Sequence, residues 1–166
     1  MGRNGAKSVA LGGVMAALAV VIMCMGGIIP LATYVCPMLC AMLLAVVLRF
    51  VGRRIAWAWY AAVAVLSMLL GPDKEGAAVF VFLGYYPIIK PWVDRRKVPF
   101  LWKLVIFNVS IGVMYGLLIY LFRLEQVVLE FRDFGLALTL IALVLGNVTL
   151  FMLDILLGRI GIRRKH

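Results

Sequence analysis

Charged residues are scarce in this sequence, and acidic residues are the scarcest of them. Among 166 residues, Asp and Glu number 7, Lys and Arg number 17, and charged residues make up only 14%. Apolar residues make up 66%, well above the roughly 45–50% of a soluble globular domain. The composition therefore excludes an ordinary soluble domain and predicts a chain that spends most of its length in a membrane.

Histidine occurs once, as His166, and its scarcity removes much of enzyme chemistry. Because that His is the last residue, we expect neither a His-based catalytic triad nor a zinc site. The candidate nucleophiles Ser8, Ser67 and Ser110 have no evident base, and no predicted span carries paired aspartates. A Gly-rich loop ending in Lys and Ser or Thr, which cradles nucleotide phosphates, is also missing. We expect no enzyme, no cofactor and no metal.

The three cysteines, Cys24, Cys36 and Cys40, show no paired metal-binding spacing. Each lies in an apolar segment, where a thiol packs as a small hydrophobic group. We expect them to contribute to helix packing.

The net charge of +10 raises the question of nucleic-acid binding. The positions of the basic residues argue against it, because every cluster lies in a short segment beside an apolar stretch. Such clusters are typical of cytoplasmic loops in membrane proteins. We therefore expect the lipid bilayer, and no nucleic acid, as the surroundings of these charges.

The apolar segments predict an all-α, polytopic membrane protein with six transmembrane helices in a single domain, 1–166. A crossing takes about 20 residues, because an α-helix rises ~1.5 Å per residue through ~30 Å of hydrocarbon. The first apolar run, 9–29, is too long for the core of a signal peptide. The predicted helices are 8–25, 38–48 or 30–48 with a kink at Pro37, 55–70, 72–89, 100–122 and 134–157.

The distribution of Lys and Arg predicts that both termini lie in the cytoplasm. With the amino terminus inside, fourteen of the 17 basic residues fall in cytoplasmic segments, leaving Lys74, Arg123 and Arg132 outside. Positive charge near the ends of spans marks the cytoplasmic side, and every predicted loop obeys this rule. A five-span topology would break the alternation. We expect a multi-pass protein of the inner, cytoplasmic membrane.

Glycines and prolines predict where the helices are interrupted. The segment 26–37 contains both and is too apolar for a solvated loop, so we expect a cap across the outer mouth. Pro72 suits the first position of the fourth helix, where Asp73 and Glu75 favour the positive end of the helix dipole. Pro87 is expected to kink the inner end of that helix.

Asp154 is the costliest residue in the predicted spans. A charge at membrane depth costs at least about 2.5–3.5 kcal/mol on insertion scales, so it needs a charged partner or a water-filled cavity. One interpretation places Asp154 near the inner interface, in a structural ion pair with Arg159 or a basic loop. The other makes it a gate or a proton site.

Two amides, Asn108 and Asn147, fall near the middle of the fifth and sixth predicted spans. They can join two helices, or they can present hydrogen-bonding groups to a bound molecule in an apolar pocket. Lys74 and Glu75 either line the outer entrance of this pocket or serve only at a helix terminus. The candidate substrate contacts are Tyr34, Lys74, Glu75, Asn108, Tyr115 and Asn147.

Small residues recur in the first predicted helix as Ala6-x-x-x-Ala10 and Gly13-x-x-x-Ala17, and the apolar segment 26–37 follows. With six spans and internal termini, the chain resembles the S components of energy-coupling factor transporters, the substrate-binding subunits of bacterial vitamin importers. The resemblance implies that the small residues dock to a transmembrane T component and that 26–37 forms a lid. It also implies that ATPase subunits supply the energy.

Two further resemblances are present, of which the second is the weaker. The string 84–90, Gly-Tyr-Tyr-Pro-Ile-Ile-Lys, looks like one found in uncharacterised small membrane proteins of Firmicutes. The chain also resembles the rod-shape protein MreD, which implies an envelope scaffold without a ligand site.

We expect a membrane-embedded substrate-binding subunit for a small nutrient such as a vitamin. The alternatives are the scaffold, an independent channel or carrier, and an enzyme.

Overall fold

The computed structural model describes residues 3–26, 32–120, 141 and 143–158. Within this part of the chain the regular secondary structure is entirely helical, and no strand occurs. The prediction of an all-α chain is confirmed for these residues. The helices are α1 (Arg3–Met25), α2 (Ala32–Phe50), α3 (Arg53–Leu70), α4 (Lys74–Leu83), α5 (Tyr86–Val93), α6 (Pro99–Tyr120) and α7 (Leu143–Gly158).

Among the residues that the structure describes, five segments are long and apolar enough to cross a membrane, namely α1, α2, α3, α4 together with α5, and α6. Helix α7 is apolar but shorter within the described residues, and its predicted start at 134 lies outside them. Large apolar side chains cover the outer surface, so that Leu69 is 71% exposed and Val14 is 67% exposed. Soluble proteins rarely leave so much apolar surface in water. The helices are therefore those of a multi-pass membrane protein.

Helix α4 begins at Lys74, two residues later than the sequence predicts. Asp73 has an extended backbone, and its Oδ1 accepts a hydrogen bond from the Gly76 N–H at 2.9 Å. This bond satisfies one of the free N–H groups of the first turn, so Asp73 is the N-cap. Pro72 consequently lies before the cap, which corrects its expected place at the first helical position.

The fourth predicted span, 72–89, is divided into α4 and α5 at Gly84. The Gly84 N–H donates to the Phe80 carbonyl at 2.7 Å and closes the last turn of α4. Pro87 lies in the first turn of α5, where its missing N–H leaves no bond unmade. The interruption therefore lies at Gly84, which corrects the kink expected at Pro87.

Helix α2 includes half of the segment that the sequence predicts as a cap. Residues 27–31 lie outside the described part of the chain, and residues 32–37 are helical rather than irregular. This corrects the cap and favours the longer of the two predicted second spans. Pro37 lies inside the helix, where it has no N–H to donate to the Thr33 carbonyl. The first turn of α2 is therefore held by fewer backbone hydrogen bonds than the rest.

Within the described residues two apolar clusters form the interior, and α2, α4 and α5 contribute to both. The first joins α1, α2, α3, α4 and α5 around Trp59 and Phe80. The second joins α2, α4, α5, α6 and α7 around Tyr86 and Phe107. Helices α2, α4 and α5 thus connect the two clusters.

Each end of the bundle collects particular helix termini. Gly26, after α1, and Thr33, in α2, lie close to Asp73 and Gly76. We call this side the Asp73 end. The opposite side, where α5 ends and α6 begins, is called the Lys90 end.

Candidate functional site

Two tyrosines meet at the Asp73 end of the second cluster. The hydroxyl oxygens of Tyr34 on α2 and Tyr115 on α6 are 3.1 Å apart. The Tyr115 hydroxyl donates to Glu75 Oε1 on α4 at 2.9 Å. Because the Tyr115 proton is used in that bond, Tyr34 is the donor within the tyrosine pair. Three of the six predicted substrate contacts are thus brought together, and they connect three helices.

Lys74 does not join this group, although it is the neighbour of Glu75 in the chain. Its Nζ donates to the Met68 carbonyl at 2.8 Å, near the end of α3. Consecutive side chains on a helix point about 100° apart, because a turn takes 3.6 residues. Lys74 therefore links α4 to α3, while Glu75 faces α6.

A narrow cavity of about 30 Å³ extends from the tyrosine pair toward the Lys90 end. This volume is about that occupied by one molecule in liquid water. Besides the two tyrosines, the polar side chain in the lining is Thr149, whose hydroxyl already donates to the Leu145 carbonyl at 2.8 Å. The apolar walls include Met38, Ala41, Val79, Leu83, Met114 and Leu150.

Asn108 on α6 and Asn147 on α7 bind each other and are not among the residues that line this cavity. Asn147 Nδ2 donates to Asn108 Oδ1 at 3.2 Å, and Asn108 Nδ2 lies 3.4 Å from Asn147 Oδ1. Each amide also donates to the carbonyl four residues earlier, at 2.8 Å. Both amides are therefore used in joining α6 to α7. The structure places them apart from the tyrosine pair.

Toward the Lys90 end, Asp154 on α7 gathers three donors from α5 and α6. Lys103 Nζ donates to Asp154 Oδ2 at 2.8 Å, and Oδ1 accepts from the Tyr86 hydroxyl at 2.6 Å and from Lys90 Nζ. Lys103 also pairs with Asp94 Oδ1 at 2.7 Å. We call these five residues the Asp154 cluster. Its two lysines and two aspartates balance in charge, which offsets the cost of removing them from water.

The predicted need of Asp154 for a cationic partner is met by Lys90 and Lys103. The other predicted partner, Arg159, lies outside the described residues. Sequence reasoning assigned Lys90 and Lys103 to cytoplasmic segments and missed Tyr86 altogether. A useful signal was present, since each lysine borders an apolar stretch. The choice of partner depends on how α5, α6 and α7 are rotated against one another, which the sequence pattern does not give.

The small residues of α1 occupy two different faces. Ala10, Gly13 and Ala17, which are predicted to dock a partner, are exposed. Gly12 is buried instead, and its carbonyl accepts a hydrogen bond from Trp59 Nε1 on α3 at 3.1 Å. Ala6 belongs to α1, but its side chain is outside the described part. The exposed face is thus different from the one that holds Gly12 against α3.

The candidate site is therefore the cavity with the tyrosine pair and Glu75 at one end and the Asp154 cluster beyond the other. No family model matches the chain, and no curated protein and no solved structure is significantly similar to it. The arrangement can surround a small apolar group and offer the two tyrosine hydroxyls to a polar one.

Proposed function

We propose that this protein is a membrane-embedded substrate-binding subunit for the uptake of a small nutrient. The observation that supports this most is the apolar cavity lined at the Asp73 end by the hydrogen-bonded hydroxyls of Tyr34 and Tyr115. Ligand pockets combine apolar walls with a few placed polar groups, and this cavity has that composition. The substrate enters at the Asp73 end, and Glu75 holds the Tyr115 hydroxyl in position.

The substrate enters by separating the tyrosine pair. Pockets for drug-sized ligands have about 300–1,000 Å³, so a cavity of about 30 Å³ must widen before such a ligand fits. Tyr34 lies in the first turn of α2, on the far side of Pro37, where one backbone hydrogen bond is missing. This turn is the part of the wall that moves, because one of the backbone hydrogen bonds that would resist bending at Pro37 is missing.

Transport needs partners, because the chain carries no phosphate-cradling loop. In this proposal the protein lies in the cytoplasmic membrane as a six-span protein with both termini and the Lys90 end inside. The exposed small-residue face of α1 docks to a T-component-like membrane subunit. ATPase subunits attached to that partner supply the energy. The protein alone binds its substrate without pumping it.

Native mass spectrometry of the mildly solubilised protein tests the proposal. We expect a small molecule to remain bound to the wild type and to be lost at least tenfold more readily from Tyr115→Phe. That change removes the hydroxyl that joins Tyr34 to Glu75. The matched control is Tyr85→Phe, which removes a hydroxyl located 3.3 Å from Ser110 Oγ and outside the cavity. A wild type that is always empty, or equal loss from both variants, would contradict the binding site.

A scaffold in envelope assembly is the second candidate, and the polar contacts that join α5, α6 and α7 support it. Both the amide pair and the Asp154 cluster are engaged within the bundle, and the cavity is small. A scaffold of the MreD type uses its exposed helix faces to contact partners. Recovery with cell-wall synthesis proteins, together with an empty cavity, would favour this candidate over the first.

A further inference from the structure

The short connection between α5 and α6 arranges one arginine between two tryptophans. The Arg96 guanidinium carbon lies 4.1 Å from the ring centroid of Trp92 and 5.2 Å from that of Trp102. The two rings are 6.2 Å apart and nearly perpendicular, at 74°. The contact with aromatic faces holds the guanidinium in place, and its N–H groups stay available in the plane of the guanidinium itself.

The same connection presents two more cations next to Arg96. Arg95 and Lys97 are exposed, as Arg96 is. The acidic residue of this segment, Asp94, points toward the bundle, where it pairs with Lys103 at 2.7 Å and Lys90 at 3.6 Å. Within the described part of the chain, no carboxylate forms an ion pair with any of the three cations. Asp94 is thus paired with Lys90 and Lys103, and the three cations that follow it dominate the charge on the outward side of the connection.

Apolar side chains continue this surface toward the membrane. Val98, Phe100 and Leu101 are each more than half exposed, directly after the three cations in sequence. Trp92 and Trp102 are 49% and 43% exposed, and tryptophan settles at the headgroup level of a bilayer. The order of cations, indole rings and apolar side chains matches the order of phosphate, glycerol region and acyl chain in a phospholipid.

We propose that this surface is a binding site for an anionic phospholipid. We call it the Arg96 patch, and it consists of Trp92, Arg95, Arg96, Lys97 and Trp102. The Arg96 guanidinium binds the lipid phosphate through paired N–H groups, and Arg95 and Lys97 add attraction to the negative headgroup. The acyl chains lie along Phe100 and Leu101. A lipid fits better than an acidic protein, because the apolar side chains beside the cations require a hydrocarbon partner.

Lipid retention measured by native mass spectrometry tests this site. The full-length protein is purified with equal amounts of phosphatidylglycerol and phosphatidylcholine that carry the same acyl chains. We expect the wild type to retain phosphatidylglycerol preferentially. Arg96→Gln should lower the preference at least fivefold, and the triple change to Gln at Arg95, Arg96 and Lys97 should lower it about 100-fold, since each cation near an anionic surface contributes about a fivefold effect.

Controls at the same end of the bundle separate a built site from general surface charge. Arg53→Gln with Arg54→Gln removes two exposed cations elsewhere and should change the preference less than twofold. Trp92→Leu leaves every charge in place and should still lower the preference at least threefold, because Arg96 loses the nearer of its two aromatic partners. Trp57→Leu, which removes another exposed indole, should not.

Three results would overturn the proposal. They are equal retention of the two lipids by the wild type, an equal loss in the Arg53 and Arg54 variant, and an unchanged preference in Trp92→Leu. The first would show that the patch does not select an anionic lipid, and the other two would leave only diffuse charge. Thermal unfolding in detergent checks that each variant is folded before its lipids are counted.

Discussion

Asp154 and Lys103 form an ion pair between α7 and α6, with Lys103 Nζ 2.8 Å from Asp154 Oδ2. The pair does not stand alone, because the other carboxylate oxygen of Asp154 accepts from Tyr86 and Lys90 on α5. One carboxylate thus connects three helices near the Lys90 end. Lys90 and Lys103 have only 9% and 13% of their side chains exposed, so both depend on this carboxylate for charge balance.

We expect Asp154→Asn to lower the free energy of unfolding by about 3–5 kcal/mol, since it leaves two buried ammonium groups without their main partner. Unfolding in mixed micelles titrated with a denaturing detergent measures this change. The matched control is Asp94→Asn, which should cost at most about 1 kcal/mol because Asp94 has 41% of its side chain exposed. Equal losses in the two variants would show that Asp154 has no special role in joining the helices.

The amide pair predicts a measurable coupling between α6 and α7. Asn147→Leu and Asn108→Leu should each lower the free energy of unfolding by about 0.6–2 kcal/mol. In the double variant the two losses should fall short of additivity by about 0.6–1.7 kcal/mol, because each single change already breaks the shared bonds. Strict additivity would contradict the pairing.

The sequence analysis counts Asn147 among the candidate substrate contacts, which predicts that Asn147→Leu weakens ligand binding. Retention of a bound small molecule is therefore measured in the same variants.

Gly84, at the end of α4, packs closely against the ring of Phe80 in the same helix. A Cβ at this position would lie 2.7 Å from two ring carbons of Phe80, and Phe80 is fully buried. We expect Gly84→Ala to lower the free energy of unfolding by about 1–3 kcal/mol through overpacking. Gly112→Ala is the control, because nothing lies within 4 Å of its Cβ position, and it should cause no loss. Similar stability of the two variants would show that the α4–α5 break does not require glycine.

Ser67 is fully buried on α3, and its hydroxyl has no hydrogen-bond partner among the described residues. A buried polar group without a partner costs about 1–3 kcal/mol. We therefore expect Ser67→Ala to leave the free energy of unfolding unchanged or to raise it by up to about 1 kcal/mol. Ser110→Ala, which removes the contact with Tyr85, should lower it slightly. A loss above about 1 kcal/mol in Ser67→Ala would reveal a bound partner at this hydroxyl.

The sequence predicts the extent of the helices well because apolar runs and their basic ends are local features. Spans such as 8–25 and 55–70 agree with α1 and α3 to within a few residues, apart from the earlier start of α1 at Arg3. The break at Gly84 is not predicted, because it depends on the fit of the Phe80 ring. The sequence predicts a kink at Pro87, but Pro87 lies in the first turn of α5, where a missing N–H costs no hydrogen bond.

The proximity of Tyr34 and Tyr115 could be predicted from the sequence, whereas their role as substrate contacts stays a prediction. That Tyr34 and Tyr115 would meet follows from their positions near the same side of the membrane, and the structure places them together. The position of Lys74 away from the pair depends on helix rotation, and so does the partnering of Asp154 by Lys90. Rotation around a helix axis is set by packing between helices, which a single apolar sequence hardly encodes.

Membrane orientation is the last prediction, and it follows from the charge at the two ends of the bundle. Arg53 and Lys97 lie at the end that also holds Arg95 and Arg96, whereas Pro72 lies at the opposite end. The positive-inside rule places the basic end in the cytoplasm.

We expect a membrane-impermeant thiol reagent added to intact cells to modify Pro72→Cys and to leave Arg53→Cys and Lys97→Cys unmodified. All three should react once the cells are lysed, which shows that the probes are accessible. The native thiols contribute little background, because Cys36 and Cys40 are buried and Cys24 is half-buried. Labelling of Arg53→Cys from outside would reverse the orientation and place the tyrosine pair toward the cytoplasm, which is incompatible with uptake through the Asp73 end.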